Sequence, residues 1–148
     1  MKDRFKFRVW DTDEYVYSES QDENYVWGFE NGILKCWALT ETQATIDEPP
    51  YPGSEELDGD IEQCTGLKDK NGKLIYEGDV GKYPKWSWRG RDEDAIVICK
   101  IYWEDGCFNT EATDDADEYL ALFEFAKTKN GWLDIEIIGN IHDNPELP

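Results

Sequence analysis

Residues 63–80 have the sequence QCTGLKDKNGKLIYEGDV, and this stretch is the strongest indicator of the fold in the chain. Its centre, residues 69–73, is rich in Asp, Asn and Gly. These residues favour tight turns, because Gly accepts positive φ angles and the Asp and Asn side chains bond to the nearby backbone. The turn leads into a short predicted strand at residues 74–76. A sharp bend is predicted next, which Gly78 permits and Asp79 closes with side-chain hydrogen bonds.

The bend is typical of the first turn of an SH3-like barrel, so we expect residues 63–148 to form a C-terminal β-barrel-like region. The β-branched run at residues 95–103 predicts a long strand that turns at residues 104–106 into the next one. Residues 133–137 alternate apolar and polar side chains and predict the final strand. Between these elements, residues 115–127 have acids at their start and apolar residues at helical spacing, which predicts one short helix in a mainly β fold.

Residues 1–46 predict a second, hairpin-rich β region. Asn31 and Gly32 separate two aromatic and β-branched runs and supply the positive φ angles of a tight hairpin turn. Residues 47–62 are first Pro-rich and then acidic, and are predicted to be a linker or a surface loop. The alternative is a single domain over residues 1–148. The first strand has the period-2 pattern of a half-buried strand, in which Phe5, Phe7 and Val9 alternate with Lys6, Arg8 and Trp10.

The composition indicates a folded, strongly acidic protein. The chain of 148 residues has 34 acidic and 15 basic residues and a net charge of −19. Such a charge opposes generic binding to nucleic acids and anionic membranes. The aromatic content of 14% argues against disorder. No apolar run approaches the roughly 18 residues of a membrane span, so we expect a protein that stays in the cytoplasm where it is made.

The sequence offers little catalytic chemistry. Its one histidine, His142, lies in a turn-rich segment and is expected to pack or form hydrogen bonds there. The carboxylates of Asp58, Asp60 and Glu62 are suited to a divalent cation, but such clusters arise by chance in so acidic a chain, and we expect a solvated surface. No catalytic residue, metal or cofactor is therefore predicted. Four cysteines without C-x-x-C spacing are expected to be packed free thiols: Cys36, Cys64, Cys99 and Cys107.

Residues 82–91 differ from the rest of the chain, with four basic and three aromatic residues and no acid. Three interpretations remain open. The segment forms a hairpin with its tryptophans in the core, or contacts an acidic protein or a second copy, or binds single-stranded nucleic acid through cations and stacked rings. The candidate binding residues are Lys82, Lys85, Trp86, Trp88, Arg89 and Arg91.

Three blocks of sequence, residues 6–11, 63–80 and 138–147, together resemble the YopX family of small proteins encoded by bacteriophages and prophages. The resemblance implies a β-rich fold with a barrel-like C-terminal part, an association with phages and no assigned catalytic residue. We therefore expect the residues of these blocks to fix the fold.

The expected function is that of a non-enzymatic phage accessory protein that binds a host or phage protein, with a homo-oligomer as one form of such binding. One alternative is a nucleic-acid-binding module that uses residues 82–91. Another is an acidic protein that mimics DNA and occupies a DNA-binding protein of the host.

Overall fold

The fold is mainly β, as the sequence predicts. One compact unit contains Lys6–Gln63, and the other contains Cys64–Pro148 together with Met1–Phe5. Within the described part of the chain, no helix has the length and apolar character needed to cross a membrane. The computed structural model gives the backbone alone at residues 86, 87 and 119, and it describes residues 5–20, 22–40, 51, 53–87, 90–112 and 119–144.

Within the unit Lys6–Gln63, the described residues form five complete strands: β1 (Phe7–Asp11), β2 (Glu14–Tyr17), β3 (Tyr25–Glu30), β4 (Ile33–Leu39) and β5 (Ser54–Glu56). Strands β3 and β4 form the predicted hairpin, and the φ angles of 53° at Asn31 and 79° at Gly32 confirm its turn. Strand β5 pairs with β4. Part of the segment predicted as a linker or surface loop is therefore a sheet strand.

The core of this unit is small. Its centre is Cys36 of β4, packed with β-branched and aromatic side chains from the neighbouring strands. A separate contact lies on the opposite face of β4, where the rings of Trp37 and Tyr51 meet edge to face with centroids 4.8 Å apart. The residues of the core are Val9, Val16 and Cys36, with Tyr25, Trp27, Leu57 and Ile61 packed against them.

Arg8 lies in the interior, although the alternation of β1 predicts a polar, solvent-facing position. Its side chain is 3% exposed, and its Nε donates to Oε1 of Glu62 at 2.9 Å. Tyr15 donates its hydroxyl to the same carboxylate oxygen at 2.9 Å, and its ring centroid lies 3.8 Å from the Arg8 guanidinium carbon. Since Glu62 is 6% exposed, the expectation that it joins Asp58 and Asp60 on a solvated surface is wrong. A buried cation requires such a partner.

We predict that Glu62→Ala lowers the free energy of unfolding by about 3 kcal/mol, because it leaves the Arg8 charge buried without its carboxylate. The measurement is urea denaturation followed by circular dichroism. Replacing both partners by apolar residues, Arg8→Met with Glu62→Leu, restores most of the loss. The matched control is Glu55→Ala at an exposed position of β5, which changes stability by less than about 0.5 kcal/mol. A loss in Glu62→Ala no larger than in this control contradicts the prediction.

In the later part of the chain that the structure describes, the strands are β6 (Glu62–Lys68), β7 (Leu74–Tyr76), β8 (Asp79–Ser87), β9 (Gly90–Glu104), β10 (Cys107–Ala112), β11 (Tyr119–Ala121) and β12 (Glu136–Asn140). The first residues of β6 pair with β1, and the rest of β6 pairs with β7. Five strands form one antiparallel sheet in the order β11-β10-β9-β8-β12. This sheet carries the larger of the two cores.

The larger core is built from the inward face of the five-stranded sheet and the segments packed on it. Tyr83 of β8 belongs to it, and its ring meets Phe125 edge to face at 4.9 Å. The core residues are Ile75, Tyr83, Val97, Cys99, Ile101, Phe108, Ala112, Leu122, Phe125, Leu133, Ile135 and Ile137.

The prediction of a short helix near residues 115–127 is wrong for the part that the structure describes. The strand β11 and a single 3₁₀ turn at Leu122–Glu124 occupy it instead. Thr110 of β10 fixes β11, because its Oγ1 donates to the carbonyl of Leu120 at 2.9 Å and accepts from the N–H of Leu120 at 3.1 Å. Pairing with β10 therefore outweighs the helical spacing of the apolar residues. The beginning of the predicted helix lies outside the described residues.

The final strand begins later than residues 133–137, where the alternation predicts it. Leu133 and Ile135 do face the core, as the alternation requires. Their backbone groups, however, bond to the loop after β6: the N–H of Leu133 donates to the carbonyl of Lys68 at 2.8 Å, and the N–H of Lys70 donates to the carbonyl of Ile135 at 2.9 Å. The alternation therefore predicted correctly which side chains are buried. It did not predict that pairing with β8 begins only at Glu136.

The carboxylate of Asp69 closes the predicted turn between β6 and β7. Its Oδ1 accepts from the N–H groups of Asn71 and Lys73, each at 2.9 Å. Its Oδ2 accepts from the N–H of Ile137 in β12 at 3.0 Å. The side chain is 1% exposed. One buried carboxylate thus joins the turn to a strand that lies almost seventy residues later in the chain.

The predicted bend after β7 is confirmed as well. Gly78 has a φ angle of 82°, in the left-handed region where a Cβ causes strain. Oδ2 of Asp79 accepts from the N–H of Tyr76 at 2.8 Å, and Asp79 is as deeply buried as the carboxylate of the preceding turn. The expectation that this block fixes the fold agrees with both contacts.

We predict that Asp69→Asn lowers the free energy of unfolding by about 3 kcal/mol. The variant loses the charge that three backbone donors share, and hydrogen bonds to charged groups contribute about 1.5–3 kcal/mol each. Chemical denaturation measures the loss. Asp94→Asn, at an exposed position of β9, is the control and should be close to wild type. Equal stability of the two variants contradicts a structural role for the Asp69 carboxylate.

Candidate functional site

The described residues of the basic and aromatic segment, 82–87 and 90–91, belong to the paired ends of β8 and β9. Trp86 pairs with Arg91, and Lys85 pairs with Asp92 after a register shift at Pro84. Trp88 and Arg89 lie outside the described residues, and only the backbone of Trp86 is described. The structure therefore shows antiparallel pairing of the two ends of this segment, while the predicted burial of its tryptophans lies outside the described side chains.

Two of the basic side chains in this segment form ion pairs with acidic side chains. Lys82 Nζ lies 3.5 Å from Oε2 of Glu136 in β12. Arg91 pairs through NH1 with Asp134, and its Nε lies 2.5 Å from Oε1 of Glu93. Exposed pairs add little stability, but they offset the positive potential that would attract a phosphate backbone.

We predict that single-stranded oligo-dT causes little quenching of the tryptophan fluorescence, even at low ionic strength, because these pairs and the net charge oppose binding. The combination of Glu93→Gln, Asp134→Asn and Glu136→Gln removes the carboxylates that pair with both cations and should add weak, salt-sensitive binding. Wild-type quenching that Lys82→Ala abolishes would contradict the prediction and favour the nucleic-acid module.

The candidate metal ligands do not converge in the structure. Among the described residues, no group of three or more His, Cys, Asp and Glu side chains could hold a metal ion. The Glu62 carboxylate accepts a hydrogen bond from Arg8 and is not available as a metal ligand beside Asp58 and Asp60. His142 is half-buried, and its backbone N–H donates to Oδ1 of Asn140 at 2.9 Å in the turn after β12.

The four thiols are free, as predicted, and three of them are buried. Burial raises the pKa of the Cys36 thiol and of the Cys99 thiol to about 12. Since the thiolate is the reactive form, neither sulfur acts as a nucleophile near neutral pH. Cys107 is partly exposed, and its Sγ lies 3.6 Å from Oδ1 of Asn109.

A more promising feature is an apolar groove beside the turn between β9 and β10, where the larger core opens to solvent. We call it the Trp103 groove. Its volume is about 280 Å³. Buried Phe108 and Leu122 form its floor, while Trp103 and Phe123 are 45% and 73% exposed. The lining residues are Thr65, Leu67, Trp103, Gly106, Cys107, Phe108, Leu122 and Phe123.

The turn that borders the Trp103 groove is preformed. Asp105 and Gly106 have φ angles of 53° and 81°, as in a tight two-residue hairpin turn of the primed type. Nδ2 of Asn109 donates to the carbonyls of Glu104 and Cys107, each at 3.2 Å. A surface held in this way loses little conformational entropy when a partner binds.

The outer face of the same hairpin carries a second, polar groove of about 330 Å³, which we call the acidic groove. Glu104 and Asp105 supply its charge, and both are exposed. Cys107 lines this groove as well as the Trp103 groove, so the two lie on either side of one turn. The full lining is Tyr102, Glu104, Asp105, Cys107 and Asn109.

Sequence reasoning missed the Trp103 groove. The alternation in β9 places Trp103 on the same face as buried Ile101, which predicts a core position. Phe123 was assigned to the predicted helix, where its spacing also indicates burial. The available signal was an aromatic residue next to the turn at residues 104–106. This signal does not show where the core ends, because that depends on Leu122 and on Leu67 of β6.

The model of the YopX protein family matches residues 6–147. This chain belongs to the YopX family. The finding confirms the resemblance carried by the three sequence blocks. The YopX-family chain is 23% identical over 147 residues to the "SPbeta prophage-derived uncharacterized protein YopX" of Bacillus subtilis strain 168, covering 95% of this chain and 93% of the relative. Among solved structures it is similar to protein EF1440 from Enterococcus faecalis, at 28% identity, 96% coverage of both chains and a TM-score of 0.49.

In this YopX-family protein, the signature stretch at residues 63–80 supplies one wall of the Trp103 groove. Thr65 and Leu67 of β6 line it. Lys68 follows directly and leads into the turn that Asp69 closes. The stretch that fixes the fold therefore also shapes the most apolar exposed concavity described above.

Proposed function

We propose that this YopX-family chain is a phage- or prophage-encoded accessory protein that acts by binding another protein at the Trp103 groove, without catalysing a reaction. The proposal rests on two exposed aromatic side chains, Trp103 and Phe123. Both line the groove, whose floor is formed by buried core residues. Large aromatic side chains next to a preformed apolar pocket are the anchors of protein interfaces.

The placement of the reactive groups supports a binding role over catalysis. The buried carboxylates of Asp69 and Asp79 bind backbone N–H groups of turns, and that of Glu62 binds a guanidinium. The thiols of Cys36 and Cys99 have raised pKa values in the cores. These groups are engaged in holding the fold, while the lining of the Trp103 groove carries no charged side chain.

The phage or prophage origin is supported by the relative in Bacillus subtilis, whose name describes it as prophage-derived and which this chain matches over nearly its full length. A binding role suits such a protein, because a small phage-encoded chain can redirect host machinery by occupying one of its surfaces.

The proposal predicts that a protein captured by the wild-type chain, from cells of the bacterium that encodes it, is not captured by Trp103→Ala or by Phe123→Ser. Loss of a central aromatic anchor costs more than about 2 kcal/mol, which is over tenfold in affinity. The measurement is affinity capture followed by quantitative mass spectrometry of each preparation.

The matched control is Ile96→Ser, which removes an apolar side chain of similar exposure, 48%, from the same strand as Trp103. Circular dichroism confirms that each variant is folded. Capture that is equally strong with all variants, or equally weakened by the control, places the binding surface elsewhere and overturns the proposal.

A further inference from the structure

The Trp103 groove and the acidic groove meet at one rigid turn, and together they define the chemistry of an occupant. The apolar groove, at about 280 Å³, lies at the small end of the range for ligand pockets. It accommodates one or two large apolar side chains rather than a whole cofactor. The lining residues present no charged group there.

The opposite side of the turn is acidic. Glu104 and Asp105 are exposed at the acidic groove, and none of the described residues lining either groove is a Lys or Arg. An apolar side chain seated beside Trp103 therefore brings the adjacent residues of its own chain close to two carboxylates. Cationic neighbours are favoured at these positions and acidic ones are repelled.

A second copy of the chain meets these requirements less well than a basic partner. Each copy carries a net charge of −19, so association brings like charges together. Phe29, exposed in the β3–β4 hairpin, is followed by Glu30, which would face the same carboxylates. Phe5 stands between Arg4 and Lys6 in the sequence and comes nearer to the required pattern, but Lys6 Nζ already pairs with Oε2 of Glu19 at 2.8 Å. Charge complementarity points to a different, basic partner.

We propose that the occupant of these two grooves is a segment of another protein in which one or two large apolar side chains are flanked by Lys or Arg. The apolar side chains fill the Trp103 groove, and a flanking cation reaches over the turn to Glu104 and Asp105. This inference rests on the proposed function and specifies the partner chemistry of the same surface.

The probe is a fluorescein-labelled peptide, Lys-Lys-Leu-Phe-Lys-Lys, and binding to the full chain is measured by fluorescence anisotropy. Two matched peptides separate the contributions: Glu-Glu-Leu-Phe-Glu-Glu keeps the apolar pair, and Lys-Lys-Ser-Ser-Lys-Lys keeps the charge. We expect measurable binding of the first peptide only, and a loss of affinity as the ionic strength rises.

Four variants test the location. Trp103→Ala, and separately Phe123→Ser, should weaken binding of the first peptide about tenfold or more. Glu104→Gln with Asp105→Asn should weaken it about twofold to tenfold, because each exposed charge pair contributes about 0.2–1 kcal/mol. The control, Asp92→Asn with Asp94→Asn, removes the same charge from exposed positions of the same strand and should leave the affinity unchanged.

The outcomes are distinguishable from those of the capture experiment. Equal binding of the Lys-flanked and Glu-flanked peptides, or equal weakening by the two acid double variants, overturns the inference. A groove-dependent captured protein would then still support the proposed function with other partner chemistry. A dimer in light scattering that Phe123→Ser dissociates overturns the inference in favour of a second copy.

Discussion

The C-terminal unit depends on a single buried carboxylate. Asp69 binds two N–H groups of its own turn and one of β12, so it fixes a local bend and a distant strand with the same group. A buried ionised group is costly unless donors surround it, and three converging backbone donors meet this requirement. Because β12 is an edge strand of the five-stranded sheet, its position relative to β6 and β7 follows from this contact.

The features that sequence reasoning predicted are those whose cause is local. The turn at Asn31 and Gly32 and the bend at Gly78 and Asp79 follow from the φ preferences and hydrogen-bonding capacity of a few adjacent residues, and both are confirmed. The burial of Arg8 was not predictable in this way. Its partner carboxylate lies 54 positions away in the chain, and only the pairing of β1 with β6 brings the two together.

The same reasoning accounts for the error near residues 115–127. Tyr119, Leu120 and Phe123 recur at helical spacing, but the unpaired edge of β10 offers hydrogen bonds that a sequence pattern does not reveal. The Trp103 groove was missed for a related reason. Whether an aromatic residue at the end of a strand is covered depends on the segments packed beneath it, and period-2 alternation describes only the direction of the side chain.

The charge distribution favours our proposal that recognition takes place at an apolar groove and not through a basic surface. Basic side chains are scarce, and several are held by intramolecular carboxylates: Lys35 Nζ lies 2.9 Å from Glu30 and 2.8 Å from Glu56. These two carboxylates raise the pKa of Lys35, the contact with Glu56 contributing most. Because these cations are paired within the chain, the electrostatic potential at the surface is set mainly by the excess of Asp and Glu over Lys and Arg.

Trp103 itself is not needed to form the turn beside it. The φ angles of Asp105 and Gly106 and the bonds of Asn109 define that turn, while Ile101 and Phe108 close the core on the same face of the hairpin. The Trp103 ring packs against Phe108 with centroids 4.7 Å apart, and this contact fixes its direction. Almost half of the side chain nevertheless remains in water. An oriented aromatic ring that neither the turn nor the core requires in full contributes mainly to the surface, and this supports our proposal that the groove binds a partner.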